Sequence, residues 1–254
     1  MDAELAAAAA ALAGARRVLV ITGAGMSADA GLPTYRGIGG LYEQDLTEDG
    51  LPIEEALSGA MLRARPALTW KYLAQIEQAC RGVQPHAGHR ALALMQSVIP
   101  QLSVLTQNID GLHQAAGQRE VIEIHGRLHA LRCDSCGAAP AVSSFAELSG
   151  LPPACPACGE SLRPQVVLFG EALPAAAIER LEQVLARGVD AVMSIGTTSV
   201  FPYIAAPVVQ AARLGLPTIE INPGETEVSG VVRHRVRQRA IDALPALLHR
   251  LQGR

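Results

Sequence analysis

The sequence predicts an α/β fold: a parallel β-sheet with helices on both faces, interrupted by two insertions that build a smaller second module. Three observations carry this expectation. Short, near-continuously apolar, β-branched runs recur along the chain, as strands buried on both faces should. Helical-period segments lie between them, and that alternation belongs to a parallel sheet. Two stretches break it. Residues 38–98 carry helical patterns without an obvious strand, and residues 131–163 are rich in Cys, Pro and Gly.

The elements follow in order. An Ala-rich segment, Glu4 to Ala15, opens the chain. Acidic residues precede its apolar run and Arg16-Arg17 follow it, the reverse of a secretory leader, so it reads as a helix. Strands are expected at 16–23, 102–108, 120–126, 163–171, 190–197 and 216–222, and helices at 66–80, 87–98, 174–187, 204–214 and 241–251. The large domain then comprises 1–37, 99–130 and 164–254. The small one comprises a helical insertion, 38–98, and a Cys-rich insertion, 131–163.

With 254 residues, 49% of them hydrophobic, the chain can bury one large core with a smaller insert. A net charge of −3 argues against nucleic-acid and anionic-membrane partners. No run reaches the ~18 consecutive apolar residues of a membrane span. A cytoplasmic monomer is expected. Among the basic residues Lys71 is the only lysine.

After the first strand comes Gly23-Ala-Gly25-Met-Ser-Ala28. This matches G-x-G-x-x-G/A, the turn that cradles a pyrophosphate in Rossmann-like sheets. Gly23 would allow the tight turn, Gly25 the approach of a pyrophosphate, and Ala28 close packing. A hydride-transferring enzyme would continue into a long helix and a second strand ending in an acidic residue. Here Gly31, Pro33 and Gly37 end any helix early, and Asp45 lies in a polar segment. The alternative is an ordinary Gly-rich turn. The broken helix suggests a loop that folds over the reactive end of a ligand, with Ser27, Thr34, Tyr35 and Arg36 facing it.

Cys133-x-x-Cys136 and Cys155-x-x-Cys158 stand 18 residues apart, the spacing of a zinc ribbon. Gly137 and Gly159 follow the second cysteine of each pair, where a positive φ is useful. A redox pair would not need a duplicate. With four protein ligands no position is open to water, so one structural zinc is expected. The ribbon's charges, Arg132, Asp134, Glu147, Glu160 and Arg163, are net acidic, with Phe145 the only aromatic, which argues against nucleic acid. Cys80 reads as packing.

Three strand ends are unusually polar: Thr106-Gln107-Asn108-Ile109-Asp110, Glu123-Ile124-His125-Gly126 and Gly196-Thr197-Thr198-Ser199. Each alone could be helix capping. Gathered round one glycine loop they suggest a site, with His125 as general base, since imidazole titrates near neutral pH. His86 and His89 lack a third ligand and read as capping and packing. The Arg-rich run 233–239 reads as a solvated face or a side wall for cofactor phosphate or ribose.

Together the motifs resemble the sirtuin family of NAD-dependent protein-lysine deacylases, in its bacterial type. The matching stretches are "GAGMSADAGLPTYRG", "TQNIDGLHQAAG", "EIHG", the paired C-x-x-C, "VVLFGE", "GTTS" and "INPGE", in the family's order from about residue 17 to 245. The resemblance implies that NAD is consumed at its nicotinamide–ribose bond, which is why a mobile loop replaces the long helix. It implies that Ala24, Asp29, Tyr35 and Arg36 line the cofactor loop, with Gly23, Gly25, Ser27 and Thr34 beside them. Gln107, Asn108 and Asp110 would shape the nicotinamide and ribose pocket, with Asn108 and His125 the catalytic pair. Gly196, Thr197, Thr198, Asn222, Pro223, Gly224 and Ala240 would hold the adenosine half. The substrate would be an acyl-lysine protein, sandwiched as an added strand by Val167, Gly170, Glu171 and Val200, with Phe169 walling the acyl tunnel. The products would be lysine, nicotinamide and O-acyl-ADP-ribose.

Two departures stand out. Tyr35 replaces the usual Phe of the cofactor loop. In 65–78, the Tyr-x-x-Arg pair that binds acidic acyl groups in one subgroup is missing: one register gives Tyr72 and Gln75, the other Leu73 and Ile76. Neutral acyl groups such as acetyl are therefore expected. The competing readings are a protein mono-ADP-ribosyltransferase and a non-catalytic NAD-binding module.

Overall fold

The computed structural model describes residues 2–32 and 46–253. They fall into two compact units: residues 1–31, 84–124 and 175–254 form the first, and 32–83 and 125–174 the second.

The first unit contains α1 (Asp2–Leu12), β1 (Arg17–Thr22), α2 (Ala24–Ala28), α6 (Ala87–Met95), β2 (Gln101–Thr106), α7 (Leu112–Ala115) and β3 (Val121–Glu123). It continues with α8 (Ala175–Ala186), β6 (Ala191–Ile195), α9 (Pro202–Arg213), β7 (Thr218–Ile221), β8 (His234–Val236) and α10 (Ala240–Gln252). Its six strands form one parallel sheet in the order β3-β2-β1-β6-β7-β8. Both faces are buried, which explains the continuous apolar runs. Val18, Val20, Val104, Met193 and Ile221 share one core with Leu12 of α1, Leu92 of α6 and Leu244 of α10. Their alternates Leu19, Ile21, Leu105 and Val192 are as deeply buried and point to the opposite face, where α8 packs on β3 and α9 on β6 and β7. Each such side chain contributes roughly 1.5–3 kcal/mol by burial.

The second unit contains α3 (Ile53–Ala56), α4 (Gly59–Ala64), α5 (Pro66–Cys80), β4 (Gly126–Cys133), a single 3-10 turn (Phe145–Glu147) and β5 (Leu162–Val166). Pro66 sits at the first position of α5, where its fixed φ suits a helix start. Helix and ribbon share one core. Trp70 is fully buried, donates its indole N–H to Leu162 O at 3.1 Å and packs at 5.1 Å on Phe145. Glu77, only 1% exposed, accepts from Arg81 Nη2 (2.5 Å), Ser144 Oγ (2.9 Å) and Phe145 N (3.2 Å). These donors hold its carboxyl below the usual range against the opposing effect of burial.

Three features differ from the sequence expectation. The run 163–171 is not a strand of the parallel sheet. Its first part is β5, antiparallel to β4, because the chain returning from the second cysteine pair meets the strand leading to the first, with Leu162 opposite Cys133. The Arg-rich run contributes β8, an edge strand whose alternating charges suit a sheet border. Residues 84–98 belong to the first unit, since α6 lies against α10. A Cβ on Gly88 would stand 2.7 Å from Ala240 O.

No helix among the described residues is long and apolar enough to cross a membrane.

Candidate functional site

In the first unit the strand order reverses between β1 and β6, and such a switch opens a crevice at the carboxyl ends of the strands. Thr22 lies opposite both Thr106 and Ile195, so β1, β2 and β6 end level there. The fingerprint turn follows β1. Its helix α2 is five residues long, as the early glycine signals required. The glycines carry a load the sequence did not show. Gly25 N donates to Gly196 O at 2.8 Å, and a Cβ on Gly25 would stand 2.9 Å from the Gly196 backbone. Gly196 has φ +57, and a Cβ there would meet Met26 N at 2.3 Å. Two turns thus approach backbone to backbone, and neither tolerates a side chain. Gly196→Ala is expected to cost about 3 kcal/mol of stability, from left-handed backbone strain and overpacking. Denaturant midpoints check this, and an unchanged midpoint contradicts it.

Above that seam the polar strand tips form one hydrogen-bonded set. Gln107 Nε2 donates to Thr197 Oγ1 at 2.8 Å. Asn108 Nδ2 donates to Gly23 O (3.0 Å) and to Ser27 Oγ (3.1 Å). Ser27 Oγ donates to Asp110 Oδ2 at 2.6 Å, and Leu112 N to Asp110 Oδ1 at 2.9 Å. Both amide protons of Asn108 are spent within the protein, so its Oδ1 presents an acceptor to any ligand. Burial pushes the Asp110 carboxyl up, partly offset by Ser27 and the backbone. Asn222 Nδ2 donates to Thr197 O (3.2 Å), and Gly224 N to Asn222 Oδ1 (3.1 Å), which ties the turn holding Pro223 to the same tips. Asp29 reaches the start of α10 beside Ala240, accepting from Ile241 N at 3.4 Å and facing Arg239 Nη1 at 3.2 Å. Thr198 and Val200 are exposed, while Ser199 between them is buried with φ +57. Strain of that kind in a non-glycine residue is common at ligand sites.

Sequence reading missed the layer beneath. Thr22 and Thr106, each closing an apolar strand, hydrogen-bond at 2.9 Å, and His113 Nε2 lies 2.9 Å from Thr22 Oγ1. Two buried threonines ending adjacent apolar strands were the available signal. His86 caps α6, as expected, by accepting from Gly88 N at 2.9 Å. His89 and His113 are deeply buried. Burial, then neighbouring positive charge, lowers them to about 2 and about 4 respectively. Groups depressed in the folded state leave stability intact above the unfolded imidazole value of ~6.5 and lose it as pH falls below. Each should cost about 2 kcal/mol between pH 7.5 and 5. Urea midpoints across that range check this, and a flat profile contradicts it.

The second unit holds the remaining candidates. His125 begins its second segment, is half-buried, and its carbonyl accepts from Val167 N at 2.9 Å. Phe169 is 37% exposed. Its N–H donates to Leu57 O and its carbonyl accepts from Gly59 N, both at 3.0 Å. Gly170 is exposed with φ +77. Glu171 is held by a two-pronged bond from buried Arg163, at 2.6 and 2.7 Å, and takes Leu168 N at 3.0 Å. Arg163 therefore fastens the segment to its own strand. Thr34, Tyr35 and Arg36 lie outside the described residues.

The four cysteines of the ribbon converge, with all sulfurs within 4.8 Å of one another. Cys133 Sγ–Cys158 Sγ is 3.5 Å and Cys136 Sγ–Cys155 Sγ 3.6 Å. A disulfide needs ~2.05 Å, whereas a tetrahedron with Zn–S ≈ 2.3 Å has edges of about 3.8 Å. Each knuckle closes alike, Gly137 N to Cys133 O and Gly159 N to Cys155 O, with φ near +76 and +80. The set fits one structural zinc with no open position.

A model of the Sir2 family matches residues 23–202. An NAD-dependent protein deacylase 2 of Pseudomonas aeruginosa is 52% identical over 240 residues, 94% of this chain and 93% of that one. An NAD-dependent protein deacylase of Aquifex aeolicus is 37% identical over 89% of this chain and 92% of its own. Among solved structures, a Sir2 homolog–NAD complex superposes with a TM-score of 0.85 at 31% identity, covering 100% of this chain and 94% of that one. A mutant Sir2 homologue bound to 2′-O-acetyl ADP ribose gives 0.86 at 30%, covering 100% and 97%.

Proposed function

The chain belongs to the Sir2 family, and we propose that it acts as an NAD-dependent protein deacylase that prefers acetyl and other neutral acyl groups. The observation that carries this reading is the hydrogen-bonded set of strand tips, in which Ser27, Asn108 and Asp110 close on the glycine turn.

NAD supplies the ADP-ribosyl group that receives the acyl group, with nicotinamide as leaving group. The turns at Gly23–Gly25 and Gly196–Thr198, bare of side chains at their glycines, let the diphosphate approach closely, with Thr34, Tyr35 and Arg36 as further cofactor contacts. Asn222, Pro223, Gly224 and Ala240 take the adenosine. Asp110, an acceptor held by Ser27, suits the donor face of a carboxamide. Asn108, whose Oδ1 is its remaining polar atom, suits a ribose hydroxyl. His125 then removes the proton from the hydroxyl that attacks the acyl carbon. Val167, Phe169, Gly170, Glu171 and Val200 are the peptide and acyl contacts, and main-chain pairing there would tolerate many sequences. The ribbon cysteines, free of disulfides, fit a cytoplasmic compartment, and a monomer that acts on proteins is expected.

The acyl preference rests on α5. Tyr72 Oη donates to Asp49 Oδ2 at 2.5 Å and Gln75 Nε2 to Glu48 Oε1 at 3.2 Å, while Leu73 is buried. Neither register supplies a guanidinium for an acidic acyl group. Without that charge-assisted bond, desuccinylation should run about 10–100-fold below deacetylation on paired peptides. Faster desuccinylation contradicts the preference. The activity itself is tested by nicotinamide release with and without acetyl-lysine peptide. Release that depends on the peptide supports a deacylase, and release that ignores it supports ADP-ribosyl transfer.

A further inference from the structure

We propose that His113 and His86, which have no part in the chemistry, are positioning residues: neutral imidazoles locked as the Nε2–H tautomer that set the cofactor pocket from beneath. The proposal rests on the NAD reading above.

His86 leaves no choice of tautomer. Its Nε2 lies 2.6 Å from Met26 O, which only accepts, so Nε2 carries the proton. Its Nδ1 takes the Gly88 N–H, so Nδ1 is bare. One ring therefore ties the start of α6 to the first turn of α2, directly after Gly23–Gly25. A second proton would set two donors face to face at Gly88 and break the tie.

His113 works on the opposite arm. Thr22 donates its hydroxyl to Thr106 Oγ1, which also accepts from Asn108 N at 3.1 Å. Thr22 therefore takes its own bond from His113 Nε2–H. His113 Nδ1 has no partner among the described residues. A buried bare acceptor is tolerated more readily than a buried orphan N–H, and this fits the same tautomer. His113 thus donates to Thr22, and Thr22 and the Asn108 N–H converge as donors on Thr106 Oγ1, while the Asn108 side chain closes the pocket on Gly23 and Ser27. His89 stands edge-on to both rings, with centroids 4.3 Å from His86 and 5.2 Å from His113. It packs against both imidazoles. Buried hydrogen bonds between named donors and acceptors favour one geometry.

His113→Phe keeps the ring and removes the donor. It is expected to raise KM for NAD about 5–10-fold, the loss of one neutral hydrogen bond, with KM for the acyl peptide unchanged. His113→Gln, which can still donate, should recover most of it. Thr106→Val, which removes the acceptor for Asn108 N, should repeat the His113→Phe effect and serves if that variant fails to fold. Variants that lose only thermal stability and keep wild-type KM for NAD would overturn the proposal, since packing alone predicts that pattern. Long-range imidazole nitrogen spectra of the wild-type protein give an independent arm. Nε2–H for His86 and His113 at neutral pH is expected, with His113 untitrated down to pH 5.5. An Nδ1–H form of either ring, or titration of His113 near 6.5, overturns the lock. A wild-type chain that consumes no NAD would instead overturn the deacylase reading, while the spectra still judge the tautomers.

Discussion

Chelating the metal from the four-cysteine cluster is expected to unfold the ribbon and the core it shares with α5. Binding a structural zinc through four thiolates is worth about 10–16 kcal/mol at neutral pH in small zinc domains, comparable to the whole stability of an ordinary domain. The damage should spread along identifiable contacts. Cys133 sets the β4–β5 register against Leu162, whose carbonyl takes the Trp70 indole N–H, and Trp70 packs on Phe145. Trp70 is the only tryptophan in the chain, so its fluorescence reports on this unit alone. One zinc per chain by elemental analysis and a red-shifted emission after chelation are expected. A metal-free protein with unchanged emission would contradict the assignment.

His125→Ala should have the largest effect on activity. Loss of a positioned general base typically costs 10²–10⁴-fold in rate. NAD affinity should change little, because the adenosine contacts proposed above all lie in the first unit, whereas His125 lies in the second. Single-turnover rates with acetyl-lysine peptide, together with calorimetric NAD binding, separate the two quantities. Turnover within tenfold of wild type would remove His125 from the chemistry.

Much of the fold was legible because long elements state their period plainly. The expected helix at 66–80 is α5 residue for residue, and the helices expected at 174–187, 204–214 and 241–251 lie within two residues of those observed. Strands β1, β2, β6 and β7 were visible because a sheet buried on both faces leaves no polar alternation to confuse them. The hairpin of β4 and β5 was not. Nothing in the apolar run 163–171 says whether its partner is a parallel neighbour or the strand it has just left across a zinc ribbon. Edge strand β8 was hidden by its arginines, of which Arg235 turns inward to buried Glu220 at 2.9 Å.

Within the first unit, the motifs pointed to polar strand tips that do come together, but not to the contacts each one makes. Gly25 reads as making room for a ligand, yet its first neighbour is the backbone of Gly196. Ser27, Asn108 and Asp110 come together as the polar tips suggested. Thr22, Thr106 and His113 support them through contacts 84 and 91 residues apart in sequence. Such partners depend on register between strands, which a local pattern does not encode. Glu77 is a similar case, a buried carboxylate whose donors come from Arg81 and, 67 and 68 residues away in sequence, from Ser144 and Phe145.

The most direct test of the account is a product balance by mass spectrometry on the purified protein with NAD and an acetyl-lysine peptide. The account predicts free lysine peptide, nicotinamide and O-acetyl-ADP-ribose in equal amounts. Nicotinamide accompanied by ADP-ribose attached to protein, or no consumption of NAD with any acyl peptide, would contradict it.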